Sequence, residues 1–252
     1  MEKGSLLEYR VVVRDHDGDL GVASSWAVVG NAPEVTAPVS AVPQPAAVSV
    51  PGRHGSEMGC PDSPTDDPTN AGDWDPACDA VQLNRGADDD IWSRTYTLPA
   101  GDWAFKAAIN RSWDENYGAK AVPGGADIGY QTTATTGPVT FYYDHRTHWV
   151  TNDVLDDIVV ATGTFQSEMG CPADNSVDCL RGWLQDPDDD GVYSLWTTEV
   201  PPGTYTVQPA VDGVLVGSST TFTVAAGDAT RFTYDPGSHT ITAVSAPPPP
   251  TG

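Results

Sequence analysis

Residues 112–118 read SWDENYG and concentrate side chains that could hold a sugar. Trp113 and Tyr117 each offer a flat apolar ring with a polar edge. Such rings suit a sugar that has C–H groups on one face and hydroxyls around its rim. Asp114 and Asn116 lie between the two rings and can form hydrogen bonds with those hydroxyls. The sequence therefore predicts a carbohydrate-binding loop here.

The segment before this loop has the pattern of a half-buried strand. Apolar residues alternate with other residues from Trp103 to Ile109, which is the period of two that a strand requires. Lys106 and Asn110 fall on the opposite face and would project beside the loop as hydrogen-bond donors. Trp74 is a further candidate for stacking on a sugar.

A calcium site is a second candidate chemistry. Residues 186–191 read DPDDDG and place Asp186, Asp188 and Asp190 at the alternate spacing of a calcium loop. The twelfth position, where an EF-hand needs a bidentate glutamate, holds Thr197. Asp and Gly also favour hairpin turns through their own backbone hydrogen bonds. We therefore interpret this segment as a turn, with calcium as the alternative.

Zinc and catalytic chemistry are disfavoured. His145 and His148 form an HxxH, but in an extended strand they would point to opposite faces. Joint ligation would need a turn, and no third ligand is evident nearby in the sequence. Asp114 and Glu115 are adjacent, whereas glycosidase carboxylates oppose one another across a cleft. We expect no catalytic site, no zinc and no cofactor, and calcium at Asp186, Asp188 and Asp190 stays the alternative.

The composition limits the class of protein. The 252 residues carry a net charge of −23, which disfavours binding to nucleic acids and anionic membranes. No apolar run is long enough to span a membrane, and residues 1–10 lack the apolar core of a signal peptide. We expect a monomeric fragment of a larger secreted protein, with a neutral ligand or calcium compatible with its charge.

Four cysteines fall into two local pairs, Cys60 with Cys78 and Cys171 with Cys179. The even count, with one pair in each half of the chain, predicts two disulfides and an oxidising compartment. A zinc site built from all four thiolates is the alternative. It lacks a CxxC motif, and its two halves would lie about a hundred residues apart.

An internal repeat decides the architecture. SEMGC occurs at residues 56–60 and again at 167–171, and each copy is followed by a second cysteine. LPAG at residues 98–101 corresponds to VPPG at 200–203. Short strands at turn spacings then follow in both units, which is typical of β-sandwiches. The predicted fold class is all-β, with tandem Ig-like antiparallel β-sandwich modules.

The predicted organisation has five segments. A partial hairpin of a truncated Ig-like or fibronectin-like domain precedes the two modules, and Pro-rich linkers flank them. The segments are residues 1–30 for the hairpin, 31–45 for the first linker, 46–153 for the first module, 154–244 for the second module, and 245–252 for the last linker.

With these motifs in view, together with GDWDPAC at residues 72–78 and FYYDHRTHWVT at 141–151, the chain resembles a known family. It is similar to the tandem Ig-like, carbohydrate-binding-type modules of bacterial pullulanases and related α-amylase-family enzymes, over about residues 46–244. The resemblance implies non-catalytic α-glucan binding within a secreted amylolytic enzyme. It also implies a catalytic domain elsewhere in the same parent chain as a partner.

The two repeats differ at the expected site. The second repeat lacks both GDWDPAC and SWDENYG, so we interpret it as a scaffold. One alternative function is that both modules are structural spacers that brace a catalytic domain without binding sugar. Another is an adhesion-type array stiffened by calcium. The expected carbohydrate-binding residues are Trp113, Tyr117, Lys106, Asn110, Asp114, Asn116 and Trp74.

Overall fold

The structure is a computed structural model that describes residues 6–14, 20–28, 39–62 and 72–248. Regular structure in these residues is almost entirely β-strand, and the named strands pair antiparallel. The all-β prediction is confirmed. None of the helices in these ranges has the length and apolar character needed to cross a membrane.

The chain begins with a two-stranded hairpin. Strand β1 (Leu6–Arg14) pairs with β2 (Leu20–Val28), with Leu6 opposite Val28 and Arg14 opposite Leu20. These two strands agree with the hairpin predicted for residues 1–30. Residues 15–19 between these strands, residues 63–71 after Cys60, and residues 31–38 of the first predicted linker lie outside the described residues.

The described residues of the first repeat, module one, contain one α-helical turn, two 3-10 turns (Asp79–Val81 and Ala119–Ala121) and nine strands. Two sheets face each other across an aromatic core in which the rings of Phe105 and Phe141 meet edge to face at 4.9 Å. The elements are β3 (Val48–Ser49), α1 (Gly55–Met58), β4 (Asn84–Arg85), β5 (Ile91–Tyr96), β6 (Gly101–Phe105), β7 (Ala107–Ile109), β8 (Ser112–Tyr117), β9 (Ile128–Thr132), β10 (Val139–Asp144) and β11 (Trp149–Asn152).

Its strand order places the expected site at one end of a sheet. One sheet runs β11-β10-β5-β4, and the facing strands form the groups β3-β7-β8 and β6-β9. Trp92 is buried in the core and Trp103 packs against it, as the alternation predicts. Trp149 packs against a second apolar cluster that includes Ile91 and Trp183.

The second repeat, module two, repeats this arrangement with a simpler central strand. Its strands are β12 (Val159–Gly163), β13 (Trp183–Leu184), β14 (Tyr193–Thr197), β15 (Gly203–Val211), β16 (Val214–Leu215), β17 (Thr220–Val224), β18 (Ala229–Asp235) and β19 (Thr240–Ala246). Sheets β13-β12-β15-β16, with β17 beside β15, and β14-β18-β19 enclose a core of their own.

Module one departs from the single strand predicted over residues 103–109. The segment divides into β6 and β7, with Lys106 between them, and all three residues of β7 are buried. The corresponding β15 is continuous. The backbone N–H of Lys106 donates to the carbonyl of Pro51 at 3.2 Å, so this residue is still held in the sheet.

The modules contact each other through the β10–β11 turn. The Arg146 side chain is buried, pairs with Asp144, and donates to the carbonyl of Arg181 at 3.3 Å. Gln185 donates to the Asp144 carboxylate at 3.1 Å. Residues 39–45, predicted as linker, also contact the modules, because the Val39 N–H donates to the carbonyl of Trp196 at 2.7 Å.

Candidate functional site

The predicted carbohydrate-binding loop is a strand that carries a bulge. In the β7–β8 hairpin, Ile109 pairs with Ser112, but Ala108 pairs with Asn116. Residues 113–115 therefore stand outside the ladder as a three-residue bulge, which we call the Trp113 bulge. Bulges re-aim side chains and are frequent beside functional sites. The prediction of a plain loop over SWDENYG was wrong, although these three residues are indeed unpaired.

Two neighbouring interactions hold the bulge in shape. The Asn116 amide donates to the carbonyl of Trp113 at 2.9 Å, and the Asp114 N–H donates to the Ser112 hydroxyl at 3.1 Å. The turn before it contains Asn110 and Arg111, both with positive φ, as a two-residue hairpin turn of type I′ requires. The bulge is thus a formed feature of the hairpin.

Trp113, at the start of the bulge, forms an aromatic platform with Trp74, and Lys106 lies beside it. Trp113 is 37% exposed, and its ring centroid lies 6.4 Å from that of Trp74, with the planes inclined by 41°. The Lys106 ammonium lies 6.0 Å from the Trp113 ring, at the outer limit of a cation–π contact. Trp74, Trp113 and Lys106 were predicted from different segments, and the structure brings them together.

The loop that carries Trp74 is tied down on several sides. Cys60 and Cys78 form a disulfide that closes it, and the Trp74 N–H donates to the carbonyl of Gly52 at 3.1 Å. Arg111 reaches from the β7–β8 turn to the Asp79 carboxylate. These contacts link the disulfide loop to the hairpin, so the two indoles are held on separate but connected elements.

Trp74 has an unusual backbone conformation. Its φ is 58°, in the left-handed region that bulky side chains rarely occupy. Asn175 occupies the same place in module two, with φ of 57° and an N–H that donates to the carbonyl of Gly163. Asparagine adopts this left-handed conformation more readily than bulky residues do. Module one therefore places a tryptophan where the local backbone favours a small polar residue, which is common at functional positions.

Tyr117 is not a stacking surface. Its ring is 7% exposed and belongs to the core, because Tyr117 lies at the base of the hairpin opposite the buried Ala107. Its hydroxyl donates to the Glu115 carboxylate at 2.9 Å. Burial, together with that carboxylate, raises the pKa of Tyr117 to about 12. The sequence could not distinguish this inward ring from the outward one four residues earlier.

The predicted polar residues separate into two groups. Asn110 accepts a hydrogen bond from the backbone N–H of Ala46 at 2.9 Å, so its carbonyl oxygen fixes the chain. Asn116 supports the bulge. Asp114 is exposed on the bulge itself, and Lys106 lies over Trp113. Only Lys106 and Asp114 of the four remain in place to meet a ligand at the platform.

Module two keeps the hairpin that carries this site in module one, but it lacks the bulge and the platform side chains. Its hairpin turns through Asp212 and Gly213, both with positive φ, and pairs Val211 with Val214 and Ala210 with Leu215. No residues intervene, so the Trp113 bulge has no counterpart. Gln208 replaces Lys106, and its amide donates to the carbonyl of Gly217 at 3.3 Å. The second disulfide, Cys171–Cys179, forms as predicted.

The acidic segment around Asp186 forms a turn. Carboxylate oxygens of Asp186, Asp188 and Asp190 lie within 4.8 Å of one another. Both oxygens of Asp186 accept backbone hydrogen bonds, from the N–H groups of Asp190 and Gly191 at 3.0 and 2.8 Å. That is the local bonding expected of an Asp-rich turn. The corresponding segment at Asp88–Asp90 contacts module two, since Asp89 accepts from the N–H of Leu180.

The sequence missed one cluster in module one. Residues 145–148 form a turn, which places His145 and His148 side by side, and Glu115 reaches them from the Trp113 bulge. The expectation that no third ligand lies near the HxxH was wrong. Glu115 is thirty positions away in the sequence, and only the pairing of β8 beside the core brings it there.

Comparison with known proteins gives consistent matches. The profile of the family described as "Pullulanase X25 domain" matches residues 47–150 and again residues 158–241. An amylopullulanase from Thermoanaerobacterium thermosulfurigenes is 37% identical over 76 residues, which are 30% of this chain and 4% of that protein. An amylopullulanase from Thermoanaerobacter thermohydrosulfuricus is 29% identical over 167 residues, covering 60% of this chain and 11% of that protein.

A solved structure, the pullulanase from Bacillus acidopullulyticus, aligns with 96% of this chain and 34% of its own, at 11% identity and a TM-score of 0.35. The chain spans only 4 to 11% of the length of the curated relatives it matches.

Proposed function

Because the chain belongs to the pullulanase X25 domain family, whose profile matches both repeats, we propose that it is a non-catalytic α-glucan-binding pair of accessory modules. The matched relatives are named amylopullulanases and are much longer than the matched segment. The parent chain would then be a starch-active glycoside hydrolase with its catalytic domain outside this segment. Two disulfides support a secreted location.

The aromatic platform is the observation that carries the proposal. Trp113 is exposed beside the half-buried Trp74, so the two rings offer an apolar surface that a ligand can cover. Glucose rings stack on such faces through their C–H groups. The two planes are inclined by 41°, which fits a glucan that curves along its length, as α-1,4-linked chains do.

Polar groups at the rim would set the orientation of the sugar. The Lys106 ammonium beside Trp113 offers three donors, and the exposed Asp114 carboxylate offers acceptors. The bulge and the disulfide loop hold both rings before any ligand arrives, so little conformational entropy is lost on binding. A shallow site of this kind binds weakly, and the link to a catalytic domain raises the effective concentration.

A spacer role is the second candidate, and the contact between modules favours it. The buried Arg146 and Asp144 of module one bond to Arg181 and Gln185 of module two, and Ile91, Ile158 and Trp183 form an apolar cluster across the same contact, without involving the platform. Module two has no platform residues at the corresponding positions. It would therefore act as a brace even where module one binds glucan.

Sedimentation with insoluble starch tests the proposal. We expect the chain to bind starch, and we expect Trp113→Ala to lose at least about tenfold in affinity, about 1.4 kcal/mol, because the main stacking face is gone. Leu215→Ala at the matching hairpin of module two is the control, and it should bind like the native chain. If the native chain stays in the supernatant, the spacer role replaces glucan binding.

A further inference from the structure

Glu115, His145 and His148 of module one form a compact cluster that starch binding does not use. The two histidines are the first and last residues of the β10–β11 turn. Glu115 is the last residue of the Trp113 bulge. One nitrogen or oxygen atom from each of the three lies within 4.8 Å of the others.

Two tyrosines connect the three groups. The Tyr143 hydroxyl lies 2.9 Å from Nδ1 of His145 and 3.1 Å from Nδ1 of His148. The Tyr117 hydroxyl donates to Glu115 at 2.9 Å and lies 3.3 Å from Nε2 of His148. The rings of Tyr117 and His148 also stack at 3.9 Å, which fixes the plane of that imidazole.

Counting protons in this network assigns the tautomers. As neutral imidazoles, the form that binds a metal ion, His145 and His148 each carry one ring proton. Tyr117 gives its single proton to Glu115, so Nε2–H of His148 must donate to Tyr117. Nδ1 of His148 then accepts from Tyr143, and Nδ1–H of His145 donates to Tyr143. Nε2 of His145 is left with its lone pair free of hydrogen bonds to the described residues.

We propose that Glu115, His145 and His148 bind a zinc ion. Two neutral imidazoles and one carboxylate are a donor set that suits Zn²⁺, and three protein ligands leave the fourth position of a tetrahedral site for water. In the zinc-bound state His148 moves its proton from Nε2 to Nδ1. Both imidazoles then donate Nδ1–H to Tyr143, which orients them as outer-shell partners do.

The three ligand atoms need to approach one another only slightly to bind zinc. Zinc bonds of about 2.0–2.2 Å place neighbouring tetrahedral ligand atoms roughly 3.5 Å apart. Atoms that already lie within 4.8 Å of one another must approach by at most about 1.3 Å, and Glu115, exposed on a bulge, is free to move. The net charge of −23 also raises the local concentration of cations.

Module two provides an internal comparison. Tyr234 and His239 repeat the Tyr143–His148 contact, with the hydroxyl 2.8 Å from Nδ1. Pro236 stands where module one has His145, and no residue matches Glu115 because the bulge is absent. We therefore expect one zinc ion per chain.

Calorimetric titration of the untagged chain with zinc chloride, in a buffer that does not coordinate metals, tests the site. We expect one zinc ion per chain. His145→Asn keeps a donor near the place of Nδ1 and removes Nε2, and Glu115→Gln removes the carboxylate charge. Since outer-shell partners alone are worth about 10–100-fold, each variant should weaken zinc binding by at least tenfold.

His239→Asn in module two and Asp188→Asn in the acidic turn are the controls, and both should bind zinc like the native chain. Circular dichroism in the presence of EDTA checks that each variant is folded. The proposal is overturned if the native chain takes up no zinc. It is also overturned if zinc uptake persists in both His145→Asn and Glu115→Gln. Loss of uptake in Asp188→Asn alone would assign the ion to the acidic turn and equally overturn it.

Discussion

His54 and Tyr130 form a buried polar contact at the centre of module one. Nδ1 of His54 lies 2.8 Å from the Tyr130 hydroxyl, and its Nε2–H donates to the carbonyl of Val50 at 3.0 Å. Burial lowers the pKa of His54 to about 4 from an ordinary value of 6.5. The imidazole is therefore neutral in the folded protein at any pH above that value.

This shift predicts a loss of stability in acid. Between pH 6.5 and 4 the unfolded chain binds a proton at His54 that the folded chain does not, so the free energy of unfolding falls as the pH falls through this range. The loss reaches about 3 kcal/mol. Module two has Phe165 and Phe222 at the corresponding places.

The double variant His54→Phe/Tyr130→Phe copies that apolar pair. We expect its free energy of unfolding to fall less than that of the native chain between pH 7 and pH 4, by about 3 kcal/mol. Urea denaturation at both pH values measures the difference, and the carboxylates contribute equally to both proteins. An identical fall in the two proteins would show that His54 does not couple protonation to unfolding.

The sequence could have indicated that His54 is buried. His54 stands two residues before the first SEMGC, and Phe165 stands at the same place before the second. The sequence did not indicate that Trp113 is exposed and that Tyr117 is buried. Both are aromatic residues of one short segment, and the alternation rule fails inside a bulge. Only the pairing of Ala108 with Asn116 shows which ring turns inward.

The elements that carry the two platform rings differ in how they are held. Trp113 is on a hairpin supported by strand pairing, whereas Trp74 is on a loop closed by the Cys60–Cys78 disulfide. The cysteines of this pair are 18 positions apart, against 8 for Cys171–Cys179. The longer loop has more freedom to lose its shape when the bond is removed.

Removal of each disulfide should therefore have different effects. Replacing Cys60 and Cys78 with alanine should destabilise the chain by about 3 kcal/mol and weaken glucan binding, because Trp74 no longer stays beside Trp113. Replacing Cys171 and Cys179 should destabilise by a comparable amount and leave glucan binding unchanged. Urea denaturation and starch sedimentation measure the two effects. Equal losses of binding in both variants would argue against a role for the Trp74 loop.

Much at the level of strands was predictable. Period-two alternation, turn residues and the repeat of SEMGC predicted the hairpins, the two cores and both disulfides. The break at Lys106 was not, because the side-chain pattern continues through it and β15 of module two has no break. In the sequence, the bulge shows only as a difference in length between the repeats. The six residues from Ser112 to Tyr117 correspond to three residues in module two.

The whole molecule is joined by charges buried between its modules. Arg146 has a side chain that is 3% exposed and Asp144 one that is 1% exposed, with Nη2 and Oδ2 2.8 Å apart. Arg146 also approaches Glu199 of module two at 3.7 Å. Removing one member of such a buried pair leaves the other charge without compensation.

Arg146→Met should lower the free energy of unfolding by about 3–5 kcal/mol. Arg85→Met is the matched control, because the Arg85 side chain is 49% exposed in its pair with Asp90, and solvent screens such a pair so that it contributes about 0–1 kcal/mol. Urea denaturation compares them. A loss in Arg146→Met no larger than that in Arg85→Met would show that the contact between modules contributes little to stability.

The central claim is that glucan rests on the indoles of Trp74 and Trp113. The chain has eight tryptophans, and each gives one indole N–H resonance in a ¹H–¹⁵N NMR spectrum, which single Trp→Phe variants assign. On titration with maltoheptaose, we expect the resonances of Trp74 and Trp113 to shift together. Those of the buried Trp92 and Trp183 should stay in place. Shifts confined to other indoles, or none at all, would contradict the account.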